Sequence, residues 1–147
     1  MSDLMKVEVN SLIKPALDWA VAVADGCGTD VTKMRSGDRW VGPVLIPNAI
    51  HPFMGVVLGQ KIGRRKHPSH SRYYYPSSVW DHGGYLLTQY RIAITPEYEG
   101  QWHADLYAEE SQPVARAYGE TPLIAACRAI VKAKFGGFVL VPKELMP

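Results

Sequence analysis

The run from Thr121 to Phe135 constrains the fold of this chain more than any other. Leu123, Ile124, Cys127, Ile130, Val131 and Phe135 recur at the spacing of one helix face. Thr121 supplies a side-chain oxygen to cap the first turn, and Pro122 suits the first helical position, where a missing N–H is no loss. Lys132 and Lys134 complement the helix dipole at the other end, and Gly136 can take a left-handed cap. A helix with one apolar stripe has to bury it, and the preceding sequence offers the surface. Arg91 to Thr95 alternates with Ile92 and Ile94 on one side, Pro96 to Gly100 supplies a turn, and Trp102 to Tyr107 alternates again. That pattern predicts a β-hairpin, followed by a strand from Val114 to Tyr118, with the helix lying on them.

The other elements are shorter. Lys6 to Val9 alternates and reads as a strand, and Phe138 to Pro142 reads as a final extended segment. Leu17, Ala20, Val21 and Ala24 fall at helical spacing between Pro15 and Asp25, with Gly26 just beyond. Trp19 and Val23 widen that apolar face, so this helix needs contacts beyond a single sheet layer. Trp80 to Tyr90 reads as a short helix despite Gly83 and Gly84. From Gly26 to Tyr75 the pattern dissolves into Gly, Pro and Ser, and Val44–Ile46 and Met54–Leu58 suit either a short strand or a helical turn. The expected fold class is α+β: one antiparallel sheet of about three to five strands flanked by about three helices, α-β-α sandwich-like, in a single domain over 1–147. A long basic loop is expected at about 59–74.

At 147 residues and 47% hydrophobic, the chain can bury one sizeable core. It holds no run of roughly 18 apolar residues, and Met1-Ser2-Asp3-Leu4 lacks the regions of a signal peptide, so the expectation is a cytoplasmic protein with no membrane partner. Cys27 and Cys127 make no disulfide framework and read as reduced thiols, Cys127 in the core. The formal charge of +2 is unevenly spread. Between Asp38 and Asp81 there is no acidic residue, while Arg39, Lys61, Arg64, Arg65, Lys66 and Arg72 all fall there, so the remaining residues carry a net −4.

Three segments carry a resemblance. They are Pro15 to Ala22, Tyr75 to Gly84 and, the most specific, Gly119-Glu120-Thr121-Pro122-Leu123-Ile124-Ala125-Ala126-Cys127-Arg128-Ala129. In this order they resemble the NinX-like proteins of tailed phages and the related phage α-β-α sandwich proteins. The resemblance implies a helix-flanked sheet and a phage or prophage origin in a bacterial host cell, and it brings no assigned activity. The hairpin, strand and Gly-x-Thr-Pro helix also resemble the partial ribonuclease-H-like fold of HicB-type antitoxins, an analogy of topology alone.

No catalytic constellation stands out. His67, His70 and His82 or Asp81 lack diagnostic metal spacing, so neither a metal nor a cofactor is expected. Ser77 or Ser78 with His82 and Asp81 lacks the strand-turn elbow of a nucleophile. Glu97 with Glu99 and Glu109 with Glu110 fall in turns where charges solvate, and Gly59 to Gly63 does not match a phosphate loop. Asp18, Trp19, Tyr75, Trp80 and Asp81 have two readings. The tryptophans are core anchors whose neighbouring carboxylates satisfy a helix end or an indole N–H, or the five residues wall a shared pocket. Lys61, Arg64, Arg65, Lys66, Arg72 and Tyr73 set cations beside stackable rings, the combination that engages single-stranded nucleic acid. The leading function is a non-catalytic phage accessory module that binds a host or phage macromolecule. Nucleic-acid binding through 61–75 and a small-molecule enzyme are the alternatives, and a homodimer remains open.

Overall fold

The computed structural model describes residues 3–46, 53–63 and 69–147. The helix that most constrains the sequence forms as α3, Pro122–Phe135, with the Thr121 hydroxyl accepting from Ile124 N–H at 3.1 Å. It lies on an antiparallel meander of β5 (Ile92–Tyr98), β6 (Gln101–Leu106) and β7 (Ala115–Gly119). Ala104, Leu106, Ala115 and Ala117 face the helix and are buried, so small side chains let α3 dock closely. Gly119 belongs to the same device, because a Cβ there would stand 2.6 Å from the backbone nitrogen of Ala125. Pro96 belongs to β5, so the expected turn narrows to Glu99 and Gly100, the latter at φ +73°.

Two other sheets complete the architecture. β1 (Leu4–Glu8) pairs antiparallel with β8 (Phe138–Pro142), Val7 opposite Val139, joining the two ends of the chain. β2 (Arg39–Ile46), β3 (Phe53–Gln60) and β4 (Ser69–Tyr73) form an antiparallel sheet in that order, with β4 at an edge. The described residues thus hold eight strands in three antiparallel sheets, where the sequence suggested one sheet of three to five. Gly42, Pro43, Gly55 and Gly59 break the alternation of β2 and β3, which is why the stretch looked unstructured. The expected loop at 59–74 is correspondingly shorter, since its ends belong to β3 and β4.

The helices pack centrally. α1 (Ala16–Ala24) buries seven consecutive residues, Ala16 to Ala22, and touches α3, β2, β3 and β8, which accounts for its wide apolar surface. Burial of a side chain such as Leu17 or Ile130 is worth about 2 kcal/mol each. α2 (Trp80–Gln89) docks through Gly83, where a Cβ would meet the Pro76 carbonyl oxygen at 2.1 Å. The Arg128 guanidinium ties these layers together, donating to Leu12 O and Tyr118 O at 2.9 Å each. Val7, Val41, Val56, Leu86, Leu106, Ile130 and Leu145 all belong to one core cluster, so every sheet and helix shares it. The expected sandwich layering does not extend across the β5–β7 sheet. Its face away from α3 carries exposed Thr95, Arg116 and Tyr118, with Asp105 buried against Arg116. Both cysteines are free and buried, and no described helix is long and apolar enough to cross a membrane.

Candidate functional site

A cleft of about 680 Å³ opens where three segments meet. Lys14, Pro15 and Asp18 come from the start of α1, Tyr75, Ser78 and Val79 from the turn between β4 and α2, and Glu144 to Pro147 from the chain end. The turn keeps its place because Gly83 admits the Pro76 carbonyl against α2. It is tied to α1 by Ser77, whose backbone N–H donates to Asp18 Oδ1 at 2.9 Å. Leu145, in a single helical turn over Lys143–Leu145, is buried and anchors the third wall.

Asp18 is the unusual group of this cleft. It is 0% exposed, and its second oxygen, Oδ2, has no hydrogen-bond partner. Burial pushes its carboxyl up to about 6, against the counter-pull of Ser77 and of the Lys14 ammonium. The rest of the lining is largely apolar, from Pro15, Val79, Leu145, Met146 and Pro147. Such an arrangement can take an apolar or aromatic body and hold one hydrogen-bond donor against a carboxylate.

A family profile described as Bacteriophage P22, NinX matches residues 8–134. The chain belongs to that family. No curated protein matches it. The matched span of this NinX-family protein includes Lys14, Asp18, Tyr75, Ser78 and Val79, while the cleft wall from Glu144 to Pro147 lies beyond it.

The residues singled out in the sequence take several positions. Asp18 and Tyr75 share the cleft. Trp80 is 56% exposed and lines an adjoining cleft of about 490 Å³ with Ile13, Ser77 and Thr121 to Ile124, so it is no core anchor. Trp19 is buried in the core, and Asp81 is exposed in the first turn of α2. Lys61 is only 7% exposed, and its ammonium donates to Met34 O at 2.7 Å, so it serves the fold instead of an exposed basic surface. Arg39 is likewise engaged, donating to Asp25 O at 2.5 Å. Arg72 and Tyr73 are exposed on β4, while Arg64, Arg65, Lys66 and His67 lie outside the described residues. His82 Nδ1 accepts from Tyr75 N–H at 2.9 Å, and that bond fixes the Tyr75 backbone at the cleft edge. Sequence reasoning missed Lys14, Val79 and the segment from Glu144 to Pro147. The apolar Leu145-Met146-Pro147 run was the one signal for the last segment, and a single helical turn shows no periodicity.

Proposed function

We propose that this NinX-family protein is a phage accessory binding module whose recognition site is the cleft between α1, the 75–79 turn and residues 144–147. One observation carries the reading: Asp18, fully buried, lines the cleft and leaves Oδ2 unpartnered. An unsatisfied buried acceptor of this kind costs roughly 1–3 kcal/mol. A ligand whose entry uncovers this oxygen and brings it an N–H or O–H offsets that cost, and the apolar walls supply affinity by burial. The Ser77 backbone amide that holds Asp18 Oδ1 suits a fixed recognition group.

Saturation-transfer NMR with a set of small aromatic fragments, read against the protein and its Ser78→Trp variant, tests this. Ser78 is exposed and lines both clefts, so an indole there fills the site without disturbing the core. The expected result is transfer to several fragments that the variant abolishes. Fragments that bind the variant equally well, or none that bind either protein, overturn the reading.

A further inference from the structure

The chemical class of the ligand follows from what adjoins the cleft. Tyr75 lines it, and Tyr73, two residues earlier in edge strand β4, stacks on Tyr75 with ring centroids 6.1 Å apart and planes at 18°. Residues i and i+2 of a strand share a face, and here the intervening Tyr74 turns into the core. Tyr73 remains 43% exposed. Burial first, then Tyr73 and Asp18, push the Tyr75 phenol above its ordinary range, so the carboxylate and the two rings lie within electrostatic reach of one another. Lys14 stands in the cleft lining, and Arg72 is exposed beside Tyr73. Glu144 stands with Lys14 in the cleft lining, while around β4 no acidic residue occurs in sequence between Asp38 and Asp81.

We propose that the cleft and β4 together bind single-stranded nucleic acid, with one base in the cleft against Tyr75 and donating to Asp18 Oδ2, and the next base on Tyr73. This rests on the cleft being the recognition site. Phosphates are drawn to Lys14 and Arg72. Aromatic rings stack on any base, at about 1–3 kcal/mol each, so β4 contributes affinity with little sequence preference. Selectivity comes from the cleft. Guanine presents N1–H and N2–H2 as adjacent donors on one edge, so it offers Oδ2 two donors where thymine and uracil offer one N–H flanked by carbonyl oxygens. In a duplex those donors are already paired and the ring faces are stacked, so duplex is the poorer ligand. A peptide with a basic side chain would also satisfy Asp18, but it would leave the paired tyrosines and Arg72 without a role.

The test is fluorescence anisotropy of short labelled single strands, DNA and RNA, each with or without one guanine in a thymine or uracil background, alongside the matching duplex. Measurements at low and at physiological salt use the full chain and its Tyr73→Ala, Arg72→Ala and Asp18→Asn variants. The expected result is single strand bound more tightly than duplex, with affinity falling as salt rises. Tyr73→Ala weakens binding roughly tenfold, Arg72→Ala lowers the salt dependence, and Asp18→Asn removes the preference for the guanine-containing strand. The DNA and RNA arms show which sugar is preferred. Absence of binding at low salt, or duplex bound as tightly as single strand with no loss in Tyr73→Ala, overturns the proposal. If aromatic fragments still bind in the cleft, such a result rejects nucleic acid alone and passes the site to a peptide; if they do not, both readings fall.

Discussion

Asp18 and Asp105 are both buried carboxylates, and the protein surrounds them in opposite ways. Asp105 stands in β6 on the face away from α3, where Arg116 donates to its two oxygens at 2.6 and 3.1 Å and His103 Nε2 lies 3.3 Å from Oδ2. His103 reaches Glu97 through its other ring nitrogen. The Arg116 guanidinium holds the Asp105 carboxyl below the usual carboxylate range. Asp18 is held at Oδ1 by Ser77 and leaves Oδ2 without a protein partner, and burial takes it the other way, to about 6. The contrast teaches that burial alone does not decide a carboxylate's role; its partners do. Asp105 is paired within its sheet, whereas Asp18 keeps one oxygen without a protein partner.

The largest expected effect comes from breaking the cleft side of this contrast. Gly83→Ala puts a methyl 2.1 Å from the Pro76 carbonyl oxygen and 3.1 Å from Leu123 Cδ2, and the backbone oxygen cannot yield without moving the turn that carries Ser77. The expected loss is about 3 kcal/mol or more in chemical denaturation. On the sheet side Gly119→Ala meets Ala125 N at 2.6 Å and Ile124 Cγ2 at 2.8 Å, a somewhat smaller insult to the start of α3. Losses below about 1 kcal/mol at both positions are incompatible with such close docking.

Asp18→Asn comes next, and its sign depends on pH. The folded carboxyl at about 6 lies above its ordinary 3.8, so the native state binds the proton more tightly than the unfolded chain. Stability is therefore fully present below the ordinary value, falls as pH rises between the two, and stays reduced above about 6. The span corresponds to about 3 kcal/mol at most. Asp18→Asn should raise the denaturation midpoint at neutral pH and converge on the parent near the ordinary carboxylate range. A variant less stable than the parent at neutral pH would mean that the ionised carboxylate is already satisfied.

These sites differ also in how far the sequence disclosed them. The β5–β7 meander and α3 were legible because alternation, a Thr cap and a Gly stop all agree locally. Asp18 and Tyr75 stood in segments resembling NinX-like proteins, so both could be named as pocket candidates. Their partners could not. The carboxylate's neighbour, Ser77, is 59 residues away in sequence, and nothing in either segment specifies that meeting. Trp80 and Asp81 looked like core and cap, yet α2 begins with both exposed, because Gly83 and Leu86 make its inner side. Lys61 read as an open cation because its acceptor, Met34 O, is a backbone oxygen 27 residues earlier. The β2–β4 sheet was obscured by glycines and a proline whose effect on pairing is set by the opposite strand.

The smallest effect sharpens the contrast from the Asp105 side. Arg116 is exposed, so solvent screens it, and Arg116→Ala should shift the urea midpoint only slightly at neutral pH. Its pH dependence carries the information. The folded Asp105 carboxyl lies below its ordinary 3.8, so its stabilising contribution is present above that value and is lost as pH falls through the folded one. Removing Arg116 should therefore cost stability at neutral pH and nothing in strong acid. The change at Asp18 is likewise felt at neutral pH and vanishes in acid, but with the opposite sign, because there the ionised carboxylate is the liability. Parent and variant urea curves taken across that range thus compare the two carboxylates directly. If Arg116→Ala stabilises the fold at neutral pH, Asp105 is not held by its arginine, and the distinction between a completed carboxylate and an open one fails.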